Sequence, residues 1–168
     1  MSRTLALICA TFAGCSIEPT IEGSGRLTTE TRETANFSAI ACEVSCAVDV
    51  RKGEKTSVVL MMDDNLLPMI RTEVVDQELR IQSAKNIAPD DRAIIIITTP
   101  SLNTFSATGA VKATIPELTG DAMAISIEGS GSVTGKAAGK ALKIEIAGSG
   151  DVNLSGTSEQ LNICIAGS

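Results

Sequence analysis

Histidine is missing from the chain altogether, as are tryptophan and tyrosine, and phenylalanine occurs only three times in 168 residues. Without an imidazole there is no Ser-His-Asp triad, no Cys-His dyad and no histidine-ligated zinc or iron centre. With so few rings the core has to be built from Ile, Leu, Val, Ala and Met, which suits thin layers better than a thick sandwich, and no aromatic platform exists for stacking a sugar. Basic charge is short as well. Against 20 Asp and Glu stand 14 Lys and Arg, a net charge of -6 with a pI near 4.7; this opposes binding to a phosphate backbone, so no nucleic-acid partner is expected. What is plentiful is Gly, Ser and Thr, at a mean hydropathy of +0.22. That composition belongs to short strands joined by tight turns, in a chain long enough for one domain without disulfide or metal staples.

One phrase organises the last third. Ile127-Glu128-Gly129-Ser130-Gly131 returns as Ile146-Ala147-Gly148-Ser149-Gly150 and again as Ile165-Ala166-Gly167-Ser168, 19 positions further on each time. Such an interval means stacked repeats. Phe105 to Val111 aligns with Ile127 to Val133 at an offset of about 22, and Cys42 to Val48 matches the same frame more distantly. Ahead of each corner, Ala124 to Ile127, Leu142 to Ile146 and Leu161 to Ile165 place Ile and Leu on one face and Ser, Lys, Glu and Asn on the other; Val133, Val152 and Leu154 resume the inward face after it. Strand, glycine corner, strand and looser return describe one coil of a parallel β-helix. The expected fold is all-β, a β-helix-like solenoid with coils of about 19 to 22 residues in the C-terminal half and longer strands in the N-terminal half.

The corner is assigned a structural role, carried by Gly129, Ser130, Gly131, Gly148, Ser149, Gly150, Gly167 and Ser168. Coils about 4.8 Å apart place each residue over its equivalent, so a bulky corner would meet its own copy, and glycine also permits the positive φ of a sharp turn. Ser130 and Ser149 would form a column, able to bond to each other, to backbone or to water.

Residues 1–14 have a basic start at Arg3, an apolar run from Leu5 to Ala10, and Thr11-Phe12-Ala13-Gly14 directly before Cys15. This resembles a bacterial lipoprotein signal, in which the cysteine after the cleavage site is acylated, although Phe12 stands where Leu is usual. A plain secretory signal cut near Ala13 or Gly14 is the alternative; a membrane span is a poorer one, because the run is far short of the about 20 residues needed. Removal of 1–14 leaves 13 basic and 20 acidic residues, a charge of -7. The division expected is a signal over 1–14, a tether over 15–22 and one domain over 23–168. With Ser16 after the cysteine, the resemblance implies an outer-membrane lipoprotein in a Gram-negative host, held to the membrane by a lipid at Cys15.

Between tether and repeats, the alternation ending in Val48-Asp49-Val50 predicts a half-buried strand, turned in hairpin fashion by Lys52-Gly53-Glu54-Lys55 into a second strand over Thr56 to Met62. Asp63 to Ile70 reads as a short helical turn capped by Asp64 or Asn65, and strands follow at Arg71 to Val75 and Glu78 to Gln82. The β-branched run Ile94-Ile95-Ile96-Ile97-Thr98-Thr99 is expected inside a sheet with both faces covered, since on an edge it would be an aggregation hazard.

Catalytic chemistry finds little support. The paired carboxylates, Asp63-Asp64 and Asp90-Asp91, lie at a turn and a loop, where capping and solubility account for them better than a polysaccharide-cleaving site. Gly148-Ser149-Gly150-Asp151 is superficially like a calcium β-roll, but Asp151 has Ser132 as its counterpart 19 residues earlier, so no carboxylate column forms. No catalytic residue, cofactor or metal is expected.

Phe37 to Val50, Asp63 to Ile70 with Glu73-Val74 and Leu79-Arg80-Ile81, Thr99 to Leu102, and the corners at Gly129 and Gly148 together resemble the family known as putative auto-transporter adhesin, head GIN domain. The likeness runs from about Gly23 to the last residue. It implies an envelope protein with a right-handed β-helix shaped like pectin lyases but without a lyase site, serving adhesion. The chain stops mid-phrase at Ser168, where the family usually continues, so a truncated or incomplete final coil with an unpaired edge, open to self-association, is expected. Cys42, Cys46 and Cys164 remain beside Cys15, an odd set for an oxidising compartment. Free buried thiols are favoured, with a Cys42 to Cys46 bridge as the alternative if the chain bends between them. The function expected is a non-catalytic binding or adhesion module for an unknown glycan or envelope protein. A structural spacer in an envelope assembly is the alternative, and a polysaccharide-active β-helix enzyme the third.

Overall fold

The computed structural model describes residues 19–167; the signal over 1–14, Cys15 and the corner residue Ser168 lie outside them. Every long element is a strand, and the helical content among the described residues is one 3-10 turn at Leu67–Met69. The strands are β1 (Ile21–Glu22), β2 (Leu27–Arg32), β3 (Ala39–Cys42), β4 (Ala47–Lys52), β5 (Ser57–Asp63), β6 (Ile70–Val75), β7 (Glu78–Ser83), β8 (Ile87–Ala88), β9 (Ile94–Thr99), β10 (Thr104–Gly109), β11 (Lys112–Gly129), β12 (Ser132–Gly148) and β13 (Asp151–Gly167). The chain is therefore all-β. β1 and β8 form a small parallel pair, and the other eleven strands form one sheet that curls around a single core into a nearly closed, barrel-like wall.

The closure comes from the long strands, each of which serves two rows of the sheet. β11 pairs in parallel with β4 through Lys112, Ala113 and Thr114, and with β10 through Ala124 to Gly129. Below it, β3 lies under β10 and β4 under the start of β11, and Ala39 opposite Thr104 and Ala47 opposite Lys112 give the same displacement of 65 positions. The corner at 43–46 thus sits under that at 108–111. β12 then follows β11, and β13 follows β12, in parallel register along nearly their whole length.

Alternation delivers the core. Ile125 and Ile127 of β11, Phe105 of β10, Ile40 of β3, and Leu79 and Ile81 of β7 face Val48, Val58, Leu60, Ile95, Ile97 and Val133 from the opposite wall, and all are buried. Branched aliphatic side chains at every second position fit the pleat and bury apolar surface at about 25 cal/mol per Å², which stands in for the missing rings.

Four expectations are corrected by the pairings. Lys52 to Lys55 does not close a hairpin: β9 lies between β4 and β5, parallel to the first and antiparallel to the second. The two strands around the turn are flanking strands that share a centre. β9 is interior as expected, yet its faces are unequal; Ile95, Ile97 and Thr99 are buried while Ile94, Ile96 and Thr98 are only half covered. The offset between Phe105 to Val111 and the next coil is 20, with Phe105 opposite Ile125 and Ala107 opposite Ile127, so the alignment at 22 was out of register. One position is absorbed higher up, where Ile115 faces Gly135 but Leu118 faces Ala137. Pro116, with no N–H to give a ladder, sits in that bulge and turns an interval of 20 into one of 19. Finally, the 3-10 turn has Leu66 at its N-cap and no side-chain cap; the polar residues before it are engaged elsewhere.

Candidate functional site

Three places in the fold concentrate chemistry. The first is the corner ridge. Gly129 and Gly148 have φ of +119° and +124°, a region costly for any residue with a Cβ. Space excludes one too: a Cβ on Gly129 would lie 2.9 Å from the Gly109 carbonyl oxygen, and one on Gly148 would lie 2.5 Å from that of Gly129. Gly131 and Gly150 pack over the carbonyls of Val111 and Gly131 in the same way, and Gly167 continues the column over Gly148. Ser130 and Ser149 point outward, exposed, and the rungs are joined there by backbone. The Ser130 amide donates to Gly109 at 3.1 Å and the Ser149 amide to Gly129 at 2.9 Å. One rung lower, Ser45 Oγ accepts the Ala110 amide at 3.1 Å.

The second place is a clasp that sequence reasoning missed. Gly23-Ser24-Gly25 docks on Asp63-Asp64-Asn65. The Ser24 amide donates to Asn65 Oδ1 at 2.9 Å, its hydroxyl to Asp64 Oδ1 at 2.6 Å, and the Gly25 amide to Asp63 Oδ1 at 2.7 Å. Asn65 returns a bond from Nδ2 to the Glu22 carbonyl at 2.8 Å, and Arg26 pairs with Asp64 at 2.9 Å. The two phrases stand about forty positions apart in the chain; the antiparallel register of β2 on β5, with Leu27 opposite Asp63, brings them together. Asp63 is fully buried and its Oδ2 has no hydrogen-bond partner among the described residues. Beside it lies a cavity of about 190 Å³ lined by Glu22, Gly23, Gly25, Asp63, Ala88, Pro89 and Asp90.

Two carboxylates here, Asp64 and Asp90, are poor proton donors. The Ser24 hydroxyl, ahead of the Arg26 charge, holds Asp64 below its ordinary value. Bonds from the Arg92 side chain and amide hold Asp90 down to about 2. A general acid at neutral pH needs the opposite shift. Among the described residues no three His, Cys, Asp or Glu side chains come together as a metal-holding group.

The third place is the β13 end. Leu161, Ile163 and Ile165 are exposed there, and a cavity of about 280 Å³ opens between β12 and β13, lined largely by Leu142, Ile144, Val152, Leu154, Leu161 and Ile163. Cys164 is exposed on this strand, whereas Cys42 and Cys46 are free thiols, both buried, just before the 43–46 corner and at its last position.

The described residues thus form an all-β domain in which β10 to β13 run parallel and turn at glycine corners. Residues 36–168 match the family described as putative auto-transporter adhesin, head GIN domain, and the chain belongs to that family. Its fold is similar to that of a putative lipid binding protein from Parabacteroides distasonis ATCC 8503, at 20% identity and a TM-score of 0.70 over 89% of this chain and 75% of that one. A putative adhesin from Bacteroides fragilis NCTC 9343 is similar at 17% identity and a TM-score of 0.58 over 88% and 96% of the two chains. A second P. distasonis protein, also a putative adhesin, is similar at 19% identity and a TM-score of 0.53 over 89% and 82%. At these identities the likeness speaks for the fold alone. No protein of curated function matches the chain.

Proposed function

We propose that the protein is a non-catalytic adhesion module of the cell envelope, a single domain over 23–168 tethered through a lipid on Cys15 and presenting the faces of a right-handed parallel β-helix to a glycan or protein. The observation that carries this reading is family membership over 36–168. The in-register parallel pairing of β10 to β13 at intervals of 20 and 19 supports the helical winding, with Gly129, Gly148 and Gly167 and their flanking serines as its corner. The outward positions favour polar contact: Thr104, Ser106 and Ser126 on one wall, and Lys143 paired with Glu145 at 2.9 Å above them. Phe37 and Phe105 are both buried, so any glycan would be held by hydroxyls and charges rather than by stacking.

The test is binding of the purified chain to a bacterial-surface glycan array and to envelope extracts. Saturable binding to a glycan or a surface protein supports adhesion. A stable envelope partner with no surface ligand would point instead to an assembly spacer, and cleavage of a polysaccharide would overturn the non-catalytic reading. Radiolabelled palmitate incorporation that disappears in Cys15→Ala tests the anchor and the outer-membrane placement that follows from it.

A further inference from the structure

Asp63 is the one charged side chain that is buried among the described residues, and it lines the cavity of about 190 Å³ that Glu22, Ala88, Pro89 and Asp90 also line. Its Oδ1 takes the Gly25 amide at 2.7 Å, while its Oδ2 has no hydrogen-bond partner among those residues. An ionised oxygen shut away from water with neither donor nor counter-charge is costly, so such a group calls for a ligand. The basic side chains nearby are committed elsewhere. Arg26 pairs with Asp64 at 2.9 Å, and Arg92 holds Asp90 through Nε at 2.8 Å and Nη2 at 3.0 Å. Arg92 responds to the charge of Asp90 first and to that of Asp63 more weakly, and its ion pair is with Asp90. Asp63 and Glu22 are then the two lining acids without a basic partner among the described residues. Two carboxylates are what one divalent cation neutralises.

We propose that this cavity binds a calcium ion through Oδ2 of Asp63 and the Glu22 carboxylate, with Asp90, main-chain carbonyl oxygen and water completing the shell. The donors select the ion. The chain has no His and the lining has no Cys, so the ligands are oxygens, which suit hard cations and not the softer metals. Pro89 has no N–H, so a carbonyl is the polar group it brings. Magnesium demands near-octahedral geometry and gives up its waters reluctantly, whereas calcium accepts about six to eight oxygens in a flexible arrangement. A carboxylate oxygen sealed from solvent therefore favours calcium. An anion is opposed by the same acids, and the amides of Ser24 and Gly25 already donate to Asn65 and Asp63. Since no three acidic side chains converge among the described residues, the affinity belongs with the weak sites of extracellular modules, about 10⁻⁴ to 10⁻³ M. Three segments meet at the ion: the clasped stretch from Glu22 to Gly25, the end of β5, and the loop after β8. Calcium would fasten them together at a place distinct from the glycine corner, where Asp151 faces Ser132 and no second acid.

The experiment is calorimetric titration of the purified chain, first stripped with a chelator, with calcium chloride and separately with magnesium chloride, alongside thermal unfolding. One calcium per chain is expected, and at about 10 mM it should raise the melting temperature by about 3–10 °C. Magnesium should bind at least about tenfold more weakly. Asp63→Asn keeps an oxygen for the Gly25 amide and should weaken calcium at least about tenfold. Glu22→Gln, at an exposed position, should weaken it about 3–10-fold and decides the matter if Asp63→Asn folds poorly. Asp151→Asn should leave the response unchanged. No binding up to about 10 mM, an equal response to magnesium, or calcium binding kept in both Asp63→Asn and Glu22→Gln would overturn the proposal. Loss of the response in Asp151→Asn would place the ion at the corner and overturn it as well.

Discussion

The Gly25 amide donates to Oδ1 of Asp63 at 2.7 Å, while Oδ2 of the same carboxylate is buried with no hydrogen-bond partner among the described residues. Gly23 lies against that carboxylate so closely that a Cβ there would collide with it. Gly23→Ala should therefore push the clasp apart and cost about 1–3 kcal/mol. Urea unfolding will measure this, and a change under about 0.5 kcal/mol would show that the segment moves aside freely.

The corner offers a sharper contrast between neighbours. Gly148→Ala meets both a φ of +124° and a carbonyl at 2.5 Å and should lose about 2–4 kcal/mol. Ser149→Ala, one residue on and exposed, should change stability by less than about 0.5 kcal/mol. Equal effects in a denaturation pair would remove the structural role given to the ridge.

Acid sensitivity follows from Asp90. Its folded pKa is lowered from 3.8 to about 2 by Arg92, so the stabilisation is fully present above the unfolded value and is lost as pH falls through the folded one. Melting temperatures between pH 5 and pH 2, about the range where unperturbed carboxylates titrate, should fall less steeply in Arg92→Gln than in the parent. Parallel curves would mean that the pair is solvated away.

Thiol reactivity should sort by burial. Burial pushes the Cys42 thiol up to about 11 and raises Cys46 further, aided by the nearby Cys42, whereas Cys164 is exposed. Since the thiolate is the nucleophile, a maleimide at neutral pH should label Cys164 in the native protein and reach Cys42 and Cys46 after denaturation. Peptide mapping reads the result, and early labelling of Cys46 would show that the corner opens.

The repeats were legible because parallel stacking sets like on like. Gly148 over Gly129 requires the same letter twice, and Ile146 over Ile127 repeats the inward face, so a period can be seen without any structure. The other half carries no such copying. That β9 lies between β4 and β5 depends on contacts from Val59 to Ile96 and from Asp49 to Ile96, pairs that share no letter and no common spacing. The clasp was hidden for the same reason. A local helix cap is the nearest explanation the sequence offers for Asp63 and Asp64, while their actual partners stand about forty positions upstream. The offset of 20 is hard to see because alternate inward positions are interchangeable by type: Ile125, the true partner of Phe105, and Ile127, the partner of Ala107, are the same residue two places apart.

That bulge at Pro116 separates the part of a coil that must keep its length from the part that can change it. The corner cannot gain or lose a residue without colliding with the one beneath, but the return beside Pro116 already has, and the faces on both sides still point the right way. A rung can therefore differ from its neighbour by one residue on the Pro116 side while its glycine corner stays seated on the corner beneath.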